Sequence, residues 1–218
     1  HWLLEAQGPL QIYLRCALFS AAYFVAAAAL PIGLKWLIVG RWQPQTIPVW
    51  SPGYLRFWTV KMLVRSNPLV LFAGTPLFVL YLRLLGARVA WSAQVGLREV
   101  PVCTDLLQVG EGAVIGALSH VPGYRAVAGR IHTGAVHIGA HCHVGEGAFI
   151  DIDTRLADGT RLAHASTVQA GQRLQGHACW HGNPAQPCPD EVAPMAEVDR
   201  RCVQQGQGVT ALRRWAYS

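Results

Sequence analysis

From Ile138 to Trp180 one apolar residue stands at every sixth position: Ile138, Val144, Ile150, Leu156, Leu162, Val168, Leu174 and Trp180. Gly or Ala follows four of them, at Gly139, Gly145, Ala157 and Ala163. A period of six fits neither the turn of an α-helix nor the alternation of an ordinary strand. It predicts a parallel β-helix, in which each hexapeptide forms one side of a triangular coil. Each inward aliphatic then stacks on its counterpart eighteen residues away, and the small neighbour lets the chain turn without a Cβ clash. The same phase begins near Val89 and Val95, resumes at Val109 and Ile115, breaks over residues 117–135, and returns at Val136. An excursion from a rigid solenoid is where reactive groups are expected, because the scaffold positions them.

The charge is unevenly distributed. Residues 1–100 carry nine Lys or Arg against two Glu, and residues 101–218 carry nine Arg against ten acids, so the net +6 belongs to the first part. With 52% hydrophobic and 14% charged residues, a basic, Trp-rich first half points to a membrane surface or to nucleic acid. The apolar runs favour the membrane. The basic residues flank those runs and do not gather on one polar face, so no nucleic-acid partner is expected.

Residues 16–39 are long enough to cross a bilayer core, which takes about 20 residues. Arg15 and Arg41 flank this stretch, Lys35 is placed to snorkel, and Pro31 is tolerable within it. Arg41, Arg56, Lys61 and Arg65 follow, with Trp36, Trp42, Trp50 and Trp58 around the exit. Positive-inside and aromatic-belt reasoning place the C-terminal part in the cytoplasm, at a bacterial-type cell membrane. Residues 69–85 read as an amphipathic helix lying in the interface. The expected organisation is therefore a segment 1–45 with a transmembrane helix, an interfacial linker 46–86, a β-helix domain 87–187 with its loop excursion 117–135, and a C-terminal helix and polar tail at 188–218. A chain beginning with His1 reads as a fragment of a longer one. Six scattered Cys with no CxxC read as free thiols in a reducing compartment.

Together these elements resemble a known family. The β-helix half is similar to the hexapeptide-repeat acyltransferases, whose last coil often ends in the form seen here as Gly182-Asn183-Pro184-Ala185. Over residues 36–185, the stretches WLIVGRWQPQTIPVWS, GTPLFVLYLRLLGARV, DLLQVGEGAVI and VHIGAHCHVGEGAF resemble the membrane-linked terminal domains of non-ribosomal peptide synthetase-like amino-acid homopolymer synthetases of the ε-poly-lysine synthetase type. The resemblance implies a left-handed coil and association in threes, as a homotrimer or with sister β-helix domains of one chain. It also implies adenylation and carrier domains as partners, an aminoacyl thioester on a phosphopantetheine carrier as donor, and an amine as acceptor. Where that family carries Thr-His, this chain has Ser119-His120, followed by Val121-Pro122-Gly123-Tyr124-Arg125 in place of a charged stretch.

Forming an amide from a thioester requires a base for the amine, donors for the developing oxyanion, and a groove for the donor arm. His120 suits the first task because imidazole titrates near neutral pH. Backbone N–H groups of Gly145 to Gly147 are candidates for the second. Trp180, Gly182, Asn183, Pro184 and Ala185 are candidates for lining the groove, and Asp105 orients an imidazole, binds the amine, or caps a turn. His164 is the corresponding base if the enzyme is an ordinary acyl-CoA-dependent transferase. A catalytically silent unit completing a three-fold assembly is a third alternative. His132, His137, His141, His143 and His164 crowd neighbouring coils and raise a zinc site as a rival, although no metal is expected.

Overall fold

The computed structural model describes residues 9–188; the C-terminal helix and tail expected at 188–218 lie outside these, apart from Cys188. The molecule is mainly β, a left-handed parallel β-helix of about five turns preceded by an apolar helix. Three stacks of short parallel strands make the sides of the prism. The first side stacks Arg88–Val89, Leu107–Val109, Val136–Ile138, Thr154–Leu156 and Arg173–Leu174. On the second side lie Gln94–Leu97, Val114–Ser119, His143–Val144, Arg161–Leu162 and Cys179–His181, closed by the antiparallel strand Gln186–Pro187. The third side pairs Phe149–Ile150 with Thr167–Val168, and His120 bridges to Phe149.

The hexapeptide expectation is met residue for residue. Ile138 pairs with Leu156 and Leu156 with Leu174, Val144 with Leu162 and Leu162 with Trp180, and Ile150 with Val168. All are buried except Trp180, which is partly buried in the last described coil, where the antiparallel strand Gln186–Pro187 pairs beyond it. Gly139 and Gly145 are small for a reason of packing: a Cβ on Gly145 would lie 2.7 Å from the carbonyl carbon of Ala163 in the next coil. The corners themselves turn two residues later, and again with a period of six. His141, Gly147, Asp153, Gly159, Ala165, Gly171 and His177 all have positive φ. Four of these seven are not Gly, so packing holds them in the left-handed region at a cost.

The excursion starts later than the pattern suggests. The strand Val114–Ser119 continues the coil, and His120 keeps its register. The departure is a hairpin of Tyr124–Val127 and Arg130–Thr133, whose outer strand pairs with Thr46–Pro48. Ile47, opposite Ile131, thereby stitches the N-terminal segment to the β-helix.

Helix α1 (Pro9–Ile38) is apolar over its length. Its 30 residues make about 45 Å at the rise of an α-helix, more than the roughly 30 Å hydrocarbon core. Residues 16–26 expose nearly every side chain, whereas Ala28, Pro31 and Lys35 face the protein. The far end of α1 therefore rests on protein. Lys35, expected to snorkel, is fully buried and paired with Asp105. Helix α2 (Pro52–Arg65) buries Phe57, Val60 and Val64, and α3 (Pro76–Leu84) buries Phe78, Val79, Tyr81 and Leu82. Residues 69–85 do not form one helix. A 3-10 turn, Pro68–Phe72, and Gly74 at φ 85° break it, because Asn67 caps the turn while Thr75 and Pro76 open α3. Outward stripes of Leu55, Trp58 and Met62 on α2, and of Leu77, Leu80 and Leu84 on α3, stay exposed.

Candidate functional site

The third side of the prism carries an outward row. The amide of Arg98 donates to the carbonyl of Ser119, the amide of His120 to Ala148, and that of Phe149 to Ser166. Each bond sets one residue beside the next, so Arg98, His120, Phe149 and Thr167 climb the side in order, about 4.8 Å per rung. Above Thr167 the chain closes with Gly182-Asn183-Pro184-Ala185. Thr167 donates its amide to the carbonyl of Gly182 and accepts from the amide of Ala185, while Ser166 Oγ accepts from the amide of Gly182. Ala185 is buried, and Asn183 and Pro184 are exposed at the mouth of this strap.

His120 stacks on Phe149 with ring centroids 5.4 Å apart. Its Nδ1 is buried without a protein hydrogen-bond partner. Burial pushes the imidazole below its ordinary pKa of 6.5; nearby Arg65, Arg98 and Lys61 push the same way, and Glu99 opposes them. Burial thus favours the neutral ring, and no protein group hydrogen-bonds its Nδ1. The preceding Ser119 points inward, fully buried, and donates to the carbonyl of Gly145 at 3.0 Å, so its hydroxyl anchors the coil.

Asp105 is not brought to His120. Its Oδ2 accepts from Lys35 Nζ at 2.8 Å and from the amide of Trp42 at 3.1 Å. His164 is exposed at the corner between the second and third sides, two coils beyond His120. Its Nδ1 accepts from the amide of Glu146 at 3.1 Å, which fixes the neutral ring's proton on Nε2. His164 adjoins the coil of Trp180 and Gly182, since the amide of Ala163 bonds Trp180. His120 lies three rungs from the strap, roughly 14 Å along the side at strand spacing.

The backbone donors expected at residues 145–147 are all engaged. Gly145 donates to Leu162, Glu146 to His164, and Gly147 to the carbonyl of Ala117. They are spent on coil stacking, and an oxyanion there finds no free amide. Sequence reasoning missed Phe149 and Arg98, the two neighbours of His120 in the row. Counting rungs of a three-sided coil could have found Phe149, but the break at 121–135 hides the count.

His137 faces out on the first side, away from the corner that holds His164. Among the described residues no three His, Cys, Asp or Glu come together as metal ligands. A groove of about 440 Å³ on that first side is lined by Arg88, His137, Arg155 and Asp158, and does not adjoin His120.

No protein-family profile matches the chain. Over 182 residues, 83% of this chain, it is 23% identical to the delta-poly-L-ornithine synthetase of Acinetobacter baumannii (strain AB307-0294), and the match spans 14% of that relative's length. Among solved structures it is similar to a galactoside acetyltransferase in complex with coenzyme A, at TM-score 0.46 and 12% identity over 67% of this chain and 86% of that one. It is also similar to a maltose O-acetyltransferase from Clostridium difficile 630, at TM-score 0.41 and 10% identity over 76% and 87% of the two chains.

Proposed function

We propose that this chain is an acyltransferase unit that forms an amide between an aminoacyl thioester and an amine. The observation that carries the reading is the row itself. His120, which burial favours as the neutral ring and which stacks on Phe149, stands in line with the strap Gly182–Ala185 on one side of the prism. A phosphopantetheine arm laid along that side from the strap brings its thioester to the imidazole. The amine nitrogen attacks the thioester carbonyl, the new C–N bond forms, and His120 takes the amine proton. The C–S bond then breaks and the thiolate leaves, recovering the proton from His120. Likeness to a poly-ornithine synthetase supports amide chemistry; in this reading adenylation and carrier domains supply the carrier-bound donor. The apolar α1 supports a membrane-held unit with the β-helix on the cytoplasmic side, and the exposed stripes of α2 and α3 extend its apolar surface toward lipid. Sister β-helices or two further copies complete the groove. Asp105 enters as a positioning residue, acting through Lys35 and Trp42.

A second reading rests on His164. It sits next to the strap, as the base of a coenzyme A-dependent transferase would, but it presents a proton on Nε2 where a base needs a lone pair.

The test is amide formation by the polypeptide that contains these residues, with His120→Ala and His164→Ala measured beside amino-acid adenylation. Loss of product with adenylation intact in His120→Ala supports the reading. Full activity in that variant overturns it. Competition between coenzyme A and a loaded carrier protein identifies the donor.

A further inference from the structure

The last described coil ends in a hairpin. Strand Cys179–His181 pairs antiparallel with Gln186–Pro187, Trp180 opposite Pro187 and His181 opposite Gln186, and the strap Gly182–Ala185 is the turn between them. One step further in this register stand Cys179 and Cys188. The amide of Cys188 donates to the carbonyl of Cys179 at 2.8 Å. Residues so opposed across antiparallel strands hold their Cα atoms about 5.5 Å apart, inside the roughly 4.4–6.8 Å that a disulfide spans. The side chains use that proximity: both thiols are free, and Cys188 Sγ donates to Cys179 Sγ.

The pair is open to reagents. Cys179 occupies the outward slot that His143 and Arg161 hold in the coils before it, and both cysteines are half-buried. Gln186 and Pro187, which lead to Cys188, are exposed. By contrast Cys103 and Cys142 are buried in the core, and Cys16 lies apart on α1. Burial and the neighbouring thiol push the Cys188 pKa up, so Cys188 keeps its proton and Cys179 reacts first.

We propose that Cys179 and Cys188 are a reversible disulfide site that hydrogen peroxide closes. Cys179, having released its proton to water, attacks one peroxide oxygen; the O–O bond breaks, hydroxide leaves, and Cys179 becomes a sulfenic acid. Cys188 gives its proton to that hydroxide, and its sulfur attacks the Cys179 sulfur. The S–S bond forms, the S–O bond breaks, and the second hydroxide takes up the proton that Cys179 released. Two thiols and one peroxide thus become one disulfide and two waters. The bridge staples the two limbs of the hairpin and closes the strap, otherwise held by hydrogen bonds to Ser166, Thr167 and Gln172, into a covalent ring. The strap lies on the path proposed for the donor arm, but the bridge does not depend on that reading.

The experiment exposes the whole reduced chain, in detergent, to graded hydrogen peroxide. Alkylation of the remaining thiols and peptide mass mapping locate the bridge, and hydrogen exchange follows the amides of residues 180–187. The expected product is a Cys179–Cys188 disulfide, formed at least about tenfold faster than any oxidation of Cys103 or Cys142 and reversed by dithiothreitol. Exchange over residues 180–187 slows severalfold in the bridged protein. Cys188→Ser stops at a Cys179 sulfenic acid that dimedone traps, and Cys179→Ser leaves the Cys188 thiol intact. A Cys188 thiol still alkylated after peroxide, a link from either residue to another cysteine, or unchanged exchange in the bridged protein overturns the proposal.

Discussion

Lys35 on the membrane-length helix and Asp105 in the first coils of the β-helix are joined at 2.8 Å across 70 residues of sequence. Both ends of this contact are shielded: the Lys35 side chain is fully buried and that of Asp105 is 10% exposed. Asp105 also holds the amide of Trp42, and its Oδ1 lies against Gly86, where any Cβ would collide with it. One carboxylate thus fixes the end of α1, the chain that leaves it, and the entry to the coil.

Cutting either partner leaves a buried charge alone. Lys35→Ala and Asp105→Asn are each expected to cost about 3–5 kcal/mol, whereas a paired Lys35→Met/Asp105→Leu variant loses much less. Thermal unfolding in detergent measures this. Single variants that melt with the wild type would remove the pin from the account.

The pH dependence of the reaction carries the mark of His120. Burial keeps its folded-state pKa below 6.5. Well above 6.5 the ring is neutral in both folded and unfolded chains, so its burial adds no pH-dependent cost. As pH falls from 6.5 toward the folded value, the unfolded chain takes up the proton first and stability declines. The acidic limb of kcat/KM is accordingly expected below 6.5, and it disappears in His120→Ala together with a rate loss on the order of 10²–10⁴. An acidic limb at or above 6.5 contradicts the burial of the working imidazole.

Phe149→Ala removes the ring stacked on His120 and opens the imidazole to water. The acidic limb then moves up toward 6.5, while the coil, held by Ile150 and Val168, keeps its fold. An unmoved limb in a folded Phe149→Ala would show that the stack does not set the titration.

Two glycine substitutions separate close packing from backbone freedom. Gly145→Ala drives a methyl to 2.7 Å from the backbone of Ala163 and is expected to cost about 1–3 kcal/mol. Gly171→Ala meets open space and pays only for its positive φ of 78°, about 1 kcal/mol. Denaturant midpoints rank them, and the reverse order would refute the packing argument.

The exposed run of α1 supports a prediction about the membrane. Leu18→Lys, within that run and 66% exposed at Leu18, is expected to weaken insertion by up to about 3 kcal/mol. Alkaline extraction of membranes reads this out. If the variant stays as tightly held as the wild type, residues 16–26 do not lie in lipid.

The repeat was legible because each inward slot admits only an aliphatic side chain and each slot recurs after one side of the prism. Ile138 and its partners show that constraint directly. Lys35 and Asp105 were not legible as a pair. Each satisfied a local pattern, a cation near the end of an apolar run and an acid before a turn, and nothing local brings them together. The glycines of residues 145–147 looked like free donors because composition does not reveal which amides the stacking uses.

By itself the sequence determined the coil, its period, its small residues at close approach, and an apolar helix longer than a bilayer is thick. These follow from side-chain size and polarity repeated at short range. Only the tertiary structure decided that His120 and the Gly182–Ala185 strap share one side, that His164 is bound through Nδ1, and that Asp105 serves α1. Those outcomes depend on how many residues leave the prism between His120 and Val136, and on where the folded-back helices come to rest. Such long-range closures are set by the packing of the whole chain and by no segment of it.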